Sequence, residues 1–333
     1  MINLNMHRAS PIIIIIPVFN DWECLNILIA KIDQVLHEEN IDVDIYILND
    51  CSTIAYHEIF DLCETKAINQ IYMLDLKRNL GHQRAISIGL AFLEANVKCK
   101  AIVVMDSDGE DDPRDIPKLI YKCMEEKYEK IVFARRTQRS ESVLFRLFYQ
   151  MYKYAFKLLT GQYIDMGNFS IVPFISLQRI VIVSEIWNHY AAGILKARIP
   201  FTSIPCKRSC RIAGKSKMNF VSLVMHGLSA ISIYGDIIGT KALIAAVMLM
   251  LLSILIIAIV YIVRIAVPDW APYIAGISFI IFLQLATISF SFIFLILNGK
   301  NNFVFLPTRD FHYFVLGVKK LNSIDYIKNQ HLT

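Results

Sequence analysis

The chain has 333 residues, and its 34 Lys and Arg against 29 Asp and Glu give a net charge of +5. So small an excess, much of it beside apolar stretches, argues against a nucleic-acid partner and for anionic lipid head groups. Hydrophobic residues make up 55% and the mean hydropathy is +0.46, too apolar for an ordinary soluble domain. The length allows one α/β domain of roughly 200–250 residues and something extra. Seven cysteines, an odd number with no tight CxxC pair, suit a reducing compartment.

Ile12 to Val18 is a β-branched run that predicts a first central strand, ending in the turn Pro17-Val18-Phe19-Asn20-Asp21. It is too short for a signal peptide and has no small-residue cleavage site. Leu25, Leu28, Ile29, Ile32, Val35 and Leu36 follow helical spacing, so Trp22 to Glu39 is predicted as an amphipathic helix. Val43 to Leu48 is the second strand, stopping at Asn49-Asp50-Cys51-Ser52-Thr53, and Ile71 to Leu74 is the third. Asn79-Leu80-Gly81-His82 opens a helix carrying Ala85, Ile86, Gly89 and Leu93. Ala101 to Met105 is the fourth strand and Lys130 to Ala134 the fifth. Strands and helices alternating at this spacing predict a mostly parallel sheet with helices on both faces. A long helix rich in Phe and Tyr follows, about Glu141 to Leu159, its aromatic stripe read as core packing.

Lys217 to Asp236 carries Val221, Val224, Met225, Leu228 and Ile231 on one face and Ser222, His226, Ser229 and Asp236 on the other. Behind a basic segment, this pattern predicts a helix lying in a membrane interface. Ala242 to Val263 is 22 residues without a charge and Tyr273 to Leu297 is 25, each above the ~20 that span a bilayer. The connector from Arg264 to Pro272 is short, so the two spans predict a hairpin with both outer ends on one side. Lys207, Arg208, Arg211, Lys215, Lys217 and Lys241 precede it, and Lys300, Arg309, Lys319 and Lys320 follow it. The positive-inside rule then places both termini in the cytoplasm of a multi-pass inner-membrane protein. The expected division is a cytoplasmic domain over 1–216, an interfacial helix over 217–240, a hairpin over 241–297 (spans 242–263 and 273–297) and a cytoplasmic tail over 298–333.

Three polar clusters terminate strands: Asn20-Asp21, Asn49-Asp50 and Asp106-Ser107-Asp108. In a doubly wound sheet these converge on one crevice at the carboxyl ends of the strands. The run from Asp106 to Asp112 packs five acids into seven positions, which repel one another unless a cation joins them. Mg²⁺ or Mn²⁺ is the natural neutraliser, and such an ion shares itself with substrate phosphates. Taken alone, Asp-x-Asp also fits a solvated acidic turn ahead of a helix beginning near Pro113.

Ile16-Pro17-Val18-Phe19-Asn20, Leu48-Asn49-Asp50-Cys51-Ser52-Thr53, Asn79-x-Gly81, Met105 to Pro113 and Arg211-x-x-Gly214-x-Ser216-Lys217 stand in the order and spacing of known motifs. Over residues 11 to 220 the chain resembles the family 2 glycosyltransferases of the GT-A fold. More narrowly it resembles the membrane-anchored branch of dolichyl-phosphate mannose synthases and bacterial polyprenyl-phosphate glycosyltransferases. It departs from that pattern at Asn49, where the family usually has an acid, at Cys51, which replaces a Gly, and at Glu110, which replaces a Gln. The tail after Asn298 is also unlike the bacterial enzymes' ending, and no QxxRW motif of processive synthases is present.

The resemblance implies a metal-dependent, inverting transfer of one sugar from a nucleotide-diphosphate donor to a lipid-linked acceptor, most plausibly polyprenyl phosphate. Asp108 and Asp106 would hold Mg²⁺ or Mn²⁺, with Asp106 also near the ribose. Asp50 would accept a hydrogen bond from the base, with Pro17, Phe19 and Asn20 forming the pocket wall. An Asx turn is the plain alternative for Asp50. Asn79 and Gly81 would present backbone N–H groups to a phosphate or sugar hydroxyl, although Gly81 also suits a tight turn. Arg135 and Arg139 would grip the diphosphate, or form a solvated basic face. Arg211, Lys215, Ser216 and Lys217 would meet the lipid phosphate, or merely the membrane surface. A hydroxyl acceptor needs a base, for which Asp165 is the first candidate and Glu185 the second. His189 and His226 read as packing or interfacial residues. The rival readings are transfer to a glycolipid hydroxyl and a non-catalytic nucleotide-sugar scaffold. Bilayer, donor and acceptor are the expected partners, with a homo-oligomer left open.

Overall fold

The computed structural model describes residues 11–56, 65–138, 143–207, 209, 211–213, 220–242, 271–300 and 305–321, with scattered positions from 244 to 255. The strands are β1 (Ile12–Val18), β2 (Val43–Asn49), β3 (Ile68–Leu76), β4 (Ala101–Val104), β5 (Ile131–Gln138), β6 (Met166–Pro173), β7 (Phe201–Lys207) and β8 (Val315–Leu321). They form one eight-stranded sheet in the order β7-β5-β6-β4-β1-β2-β3-β8. β1 pairs parallel with β2 and β4, β2 with β3, and β5 with β7. β6 runs antiparallel between β4 and β5, and β8 runs antiparallel along β3. The mostly parallel α/β sheet expected from the alternating pattern is therefore present.

Its centre is buried on both faces, which is why β1 is a run of Ile rather than an alternation. Ile13, Ile14, Ile15 and Ile16 are all fully buried. Ile14, Ile16, Val43, Ile45, Ile47, Ile71 and Met73 pack with helices α1 (Trp22–Glu38) and α3 (Ile116–Glu125) in one core. Helix α2 (His82–Asn96) lies on β1 and β2, close enough that a Cβ on Gly89 would meet Leu48 Cδ1 at 2.5 Å. The glycine noted in the sequence is thus a close-approach position.

The chain divides into two compact units, the first comprising residues up to 146, 164–223 and 303 onward, the second 147–163 and 224–302. The tail is not a separate appendage, since β8 belongs to the first unit's sheet. Its attachment there is extensive. Lys77 N donates to Phe314 O at 2.9 Å, and Phe305 and Phe314 pack on Trp187 with ring centroids 3.8 and 5.4 Å away.

In the second unit, most of helix α4 (Val143–Thr160) packs with the region after residue 224. Tyr152, Phe156 and Tyr234 form a chain of rings 6.0 and 5.7 Å apart. Lys241 Nζ donates to Leu158 O and Leu159 O at 2.8 and 3.0 Å, satisfying carbonyls left open at the end of α4. Tyr152 and Phe156 of the aromatic stripe therefore pack, as expected, whereas Tyr154 is exposed. Helix α7 (Phe220–Ser232) covers the predicted interfacial segment from residue 220; Lys217 lies outside the described residues. Ala271–Lys300 is a single helix of 30 residues, about 45 Å long at 1.5 Å per residue. Its side chains are described only in part, and among the described residues no helix is long and apolar enough to cross a membrane. The first predicted span lies largely outside those residues.

Candidate functional site

β1, β2 and β4 are adjacent and parallel, so their terminal clusters meet at one edge of the sheet. Asn20 has a positive φ of 51° and ties the first two together. Its Oδ1 accepts from Thr53 N and Ile54 N at 2.8 and 2.9 Å, and its Nδ2 donates to Thr53 Oγ1 at 2.8 Å. Asn is among the few residues that take this backbone region readily. Pro17 lies inside β1 opposite Leu48, and Phe19 is exposed at the turn. Cys51 has φ 58°, so the Gly that usually stands here would serve the backbone, and the thiol side chain is exposed.

Asp50 is buried, and both its oxygens are engaged: Oδ1 accepts from Leu80 N at 2.7 Å and Oδ2 from Gly81 N at 2.8 Å. Burial raises its pKa, against the lowering effect of the Leu80 and Gly81 N–H groups. It therefore braces the turn ahead of α2 across 30 residues, rather than making the local Asx turn. The same bond takes up the Gly81 N–H that was expected to face a phosphate. Gly81, at φ 86°, serves the turn, and Asn79 is exposed beside it.

The acid loop after β4 is folded by its own carboxylates and by a strap formed by residues 209 and 211–213. Asp108 Oδ1 accepts from Glu110 N at 3.0 Å, and Asp111 Oδ2 accepts from Asp106 N at 3.2 Å. Ser209 N donates to Glu110 O at 3.0 Å and Ile212 N to Asp108 O at 3.1 Å. Gly109, at φ 76°, leaves the space that Ile212 fills. Arg211 Nη2 grips both oxygens of Asp21 at 2.7 and 2.6 Å, and its Nη1 lies 3.7 Å from Asp108 Oδ2. Arg211, expected at a lipid phosphate, is thus committed to the acid cluster; Lys215, Ser216 and Lys217 lie outside the described residues.

Asp106 is held from the other side by a chain that no local pattern announces. Asn168 Nδ2 donates to Asp106 Oδ1 at 3.3 Å, and Asn168 Oδ1 accepts from Gln83 Nε2 at 2.8 Å. Gln83 Oε1 in turn accepts from Tyr190 N at 2.6 Å. Tyr190 opens α6 (Tyr190–Lys196), whose N-cap is His189, accepting from Ala192 N at 3.3 Å through Nδ1. His189 is thus a structural cap.

Arg135 lies within β5 rather than after it, with its Nη1 3.7 Å from Asp165 Oδ2. Arg139 falls outside the described residues. Glu185 is paired with Lys196 at 3.4 Å and accepts from Ser184 Oγ at 3.2 Å. These partners are those of a structural acid near α6.

Among the described residues no three His, Cys, Asp or Glu side chains converge on a metal position. A cation shared with a diphosphate needs only one or two carboxylates, however. Burial raises the Asp108 pKa, Glu110 and Asp111 add to the rise, and Arg211 opposes it. Asp106 and Asp108 offer the hard carboxylate oxygens that such an ion takes.

A family model described as glycosyl transferase family 2 matches residues 13–187. An uncharacterized glycosyltransferase of Bacillus subtilis, YkcC, is 28% identical over 68% of this chain and 70% of its own length. The undecaprenyl-phosphate 4-deoxy-4-formamido-L-arabinose transferase of Salmonella choleraesuis is 26% identical over 66% of this chain and 67% of its own. Among solved structures, mannosyl-3-phosphoglycerate synthase of Rubrobacter xylanophilus superposes with a TM-score of 0.48 at 10% identity, covering 70% of this chain and 75% of that one.

Proposed function

The chain belongs to glycosyl transferase family 2 and is a glycosyltransferase, and we propose that it moves one sugar from a nucleotide-diphosphate donor to polyprenyl phosphate at the cytoplasmic membrane face. The observation that carries this reading is the pair Asp106 and Asp108 at the end of a central strand, fixed from both sides by Asn168 and Arg211. The uncharged stretches 242–263 and 273–297 support a bilayer anchor. The acceptor named for the Salmonella relative supports a polyprenyl phosphate.

Mg²⁺ or Mn²⁺ held by Asp106 and Asp108 would supply positive charge against the leaving diphosphate. Arg211 holds Asp21 and Asp108 together and limits their repulsion. Gln83 and Asn168 keep the Asp106 carboxylate in one orientation. Asp50 fixes the turn that presents Asn79. A lipid phosphate is largely dianionic near pH 7, its second pKa being about 6, and needs no base. One of its oxygens forms the bond to the sugar's C1 as the bond from C1 to the donor diphosphate breaks, with inversion and release of the nucleoside diphosphate.

A second reading, transfer to a glycolipid hydroxyl, is favoured by the place of Asp165. It directly precedes β6, three residues from the Asn168 that holds Asp106. There it would take the hydroxyl proton. Incubating the full chain with nucleotide sugars, Mn²⁺ and either polyprenyl phosphate or a phosphatase-treated membrane lipid extract, which retains glycolipid hydroxyls, separates the two. Product with the phosphate alone is expected; product with a hydroxyl acceptor instead would establish the second reading, and no transfer to lipid would overturn both.

A further inference from the structure

The tail is outside the matched family region, yet its last described strand reaches the site. Asn49 ends β2, and Asp75 is its partner in register on β3. Asn49 Nδ2 donates to Asp75 Oδ1 at 2.7 Å, while Asn49 Oδ1 accepts from Ser52 N at 3.0 Å. These two bonds fix the amide in one orientation, with its oxygen toward the post-β2 loop and its nitrogen toward Asp75. Lys319 of β8 places Nζ 3.1 Å from Asp75 Oδ2 and 4.5 Å from the ring centroid of Tyr56, in the segment that follows β2. The β8 register, with Met73 opposite Lys319 and Asp75 opposite Gly317, delivers the ammonium to this spot.

Asn49 is an amide, and the carboxylate it bonds stands one strand further out, on β3. Two carboxylates at positions 49 and 75 would repel each other. An amide bonded to a cation-paired carboxylate makes a fixed, neutral hydrogen-bonding unit. One Nδ2 hydrogen and one Oδ1 lone pair remain on Asn49 beyond the bonds to Asp75 and Ser52. We propose that the C-terminal strand completes the pocket for the donor's base: Lys319 fixes Asp75, Asp75 fixes Asn49, and the amide so oriented decides which base is preferred. This rests on the reading of a nucleotide-diphosphate donor at the ends of β1 and β2. Lys319 and Asp75 are positioning residues, acting through Asn49.

The test is competition binding of UDP, GDP, ADP and CDP, with Mn²⁺, to the full-length protein, and inorganic pyrophosphate serves as a probe without a base. Wild type is expected to favour one base. Lys319→Met and Asp75→Asn should shrink that preference by about three- to tenfold, the size of one lost hydrogen bond, with pyrophosphate binding retained. Lys319→Arg should restore the preference. An unchanged preference in Lys319→Met and Asp75→Asn, with pyrophosphate still bound, overturns the role of the tail alone. Failure of wild type to bind any of the four nucleotides overturns the donor reading and this inference with it.

Discussion

Arg211 Nη2 closes on both oxygens of Asp21, at 2.7 and 2.6 Å, across 190 positions of sequence. The pair joins the end of β1 to the strap over the acid loop, and Arg211 Nε bonds Ala213 O at 2.8 Å as well. A lysine keeps the charge but cannot serve Asp21, Asp108 and Ala213 from one rigid fork. Arg211→Lys is therefore expected to lower transfer at least tenfold and stability by about 1–3 kcal/mol. Transfer assays and thermal unfolding of the same preparation check both. Arg211→Lys activity near wild type would mean the strap is incidental.

Gln83 is the keystone of the chain to Asp106. Its loss strands Asn168 Oδ1 and Tyr190 N in the interior. Gln83→Leu should cost about 1–3 kcal/mol for each group left unsatisfied. It should also lower kcat and raise the donor KM together, because the Asp106 it frees would hold the ion that both binds the donor diphosphate and offsets its charge as it leaves. Steady-state kinetics on the folded fraction separates these effects.

Asp112 caps the short helix Pro113–Asp115 by accepting from Arg114 N at 3.0 Å. Hydrogen bonds from the Arg114 side chain, above all, hold its pKa down to about 2. A depressed carboxylate adds stability above its unfolded pKa, near 3.9, and loses it as pH falls through the folded value. Asp112→Asn keeps a cap acceptor but loses the charge that Arg114 pairs with, and should therefore unfold up to about 1 kcal/mol more easily at pH 6, the worth of a partly exposed ion pair. The gap to wild type should close between about pH 4 and pH 2. Thermal unfolding across that range shows whether it does.

How far the sequence reached follows from where the signals sit. β1 and β4 are almost wholly buried runs dominated by Ile and Val, and each meets a turn rich in Asn or Asp, so both strand and site could be read locally. β6 mixes Gly, Asn and Ser with its apolar residues, and its role lies in Asn168 meeting Gln83, 85 positions away. Among the described residues β7 is an edge strand, and it tolerates Pro205 because one side of it is unpaired there. β8 carries Lys319 and Lys320, residues that protect an edge but read as tail. Arg211 shows the same limit in the opposite direction: a basic residue ahead of an apolar segment suggests a lipid-facing side chain, whereas its partner is an aspartate from the start of the chain.

The pair Asp106 and Asp108 is the centre of the account, and Mn²⁺ titration followed by electron paramagnetic resonance tests it most directly. In wild type a nucleoside diphosphate should tighten Mn²⁺ binding at least tenfold, because carboxylates and diphosphate share the ion. In Asp108→Asn that coupling should disappear while the protein remains folded. Equal coupling in Asp108→Asn and wild type would contradict the account.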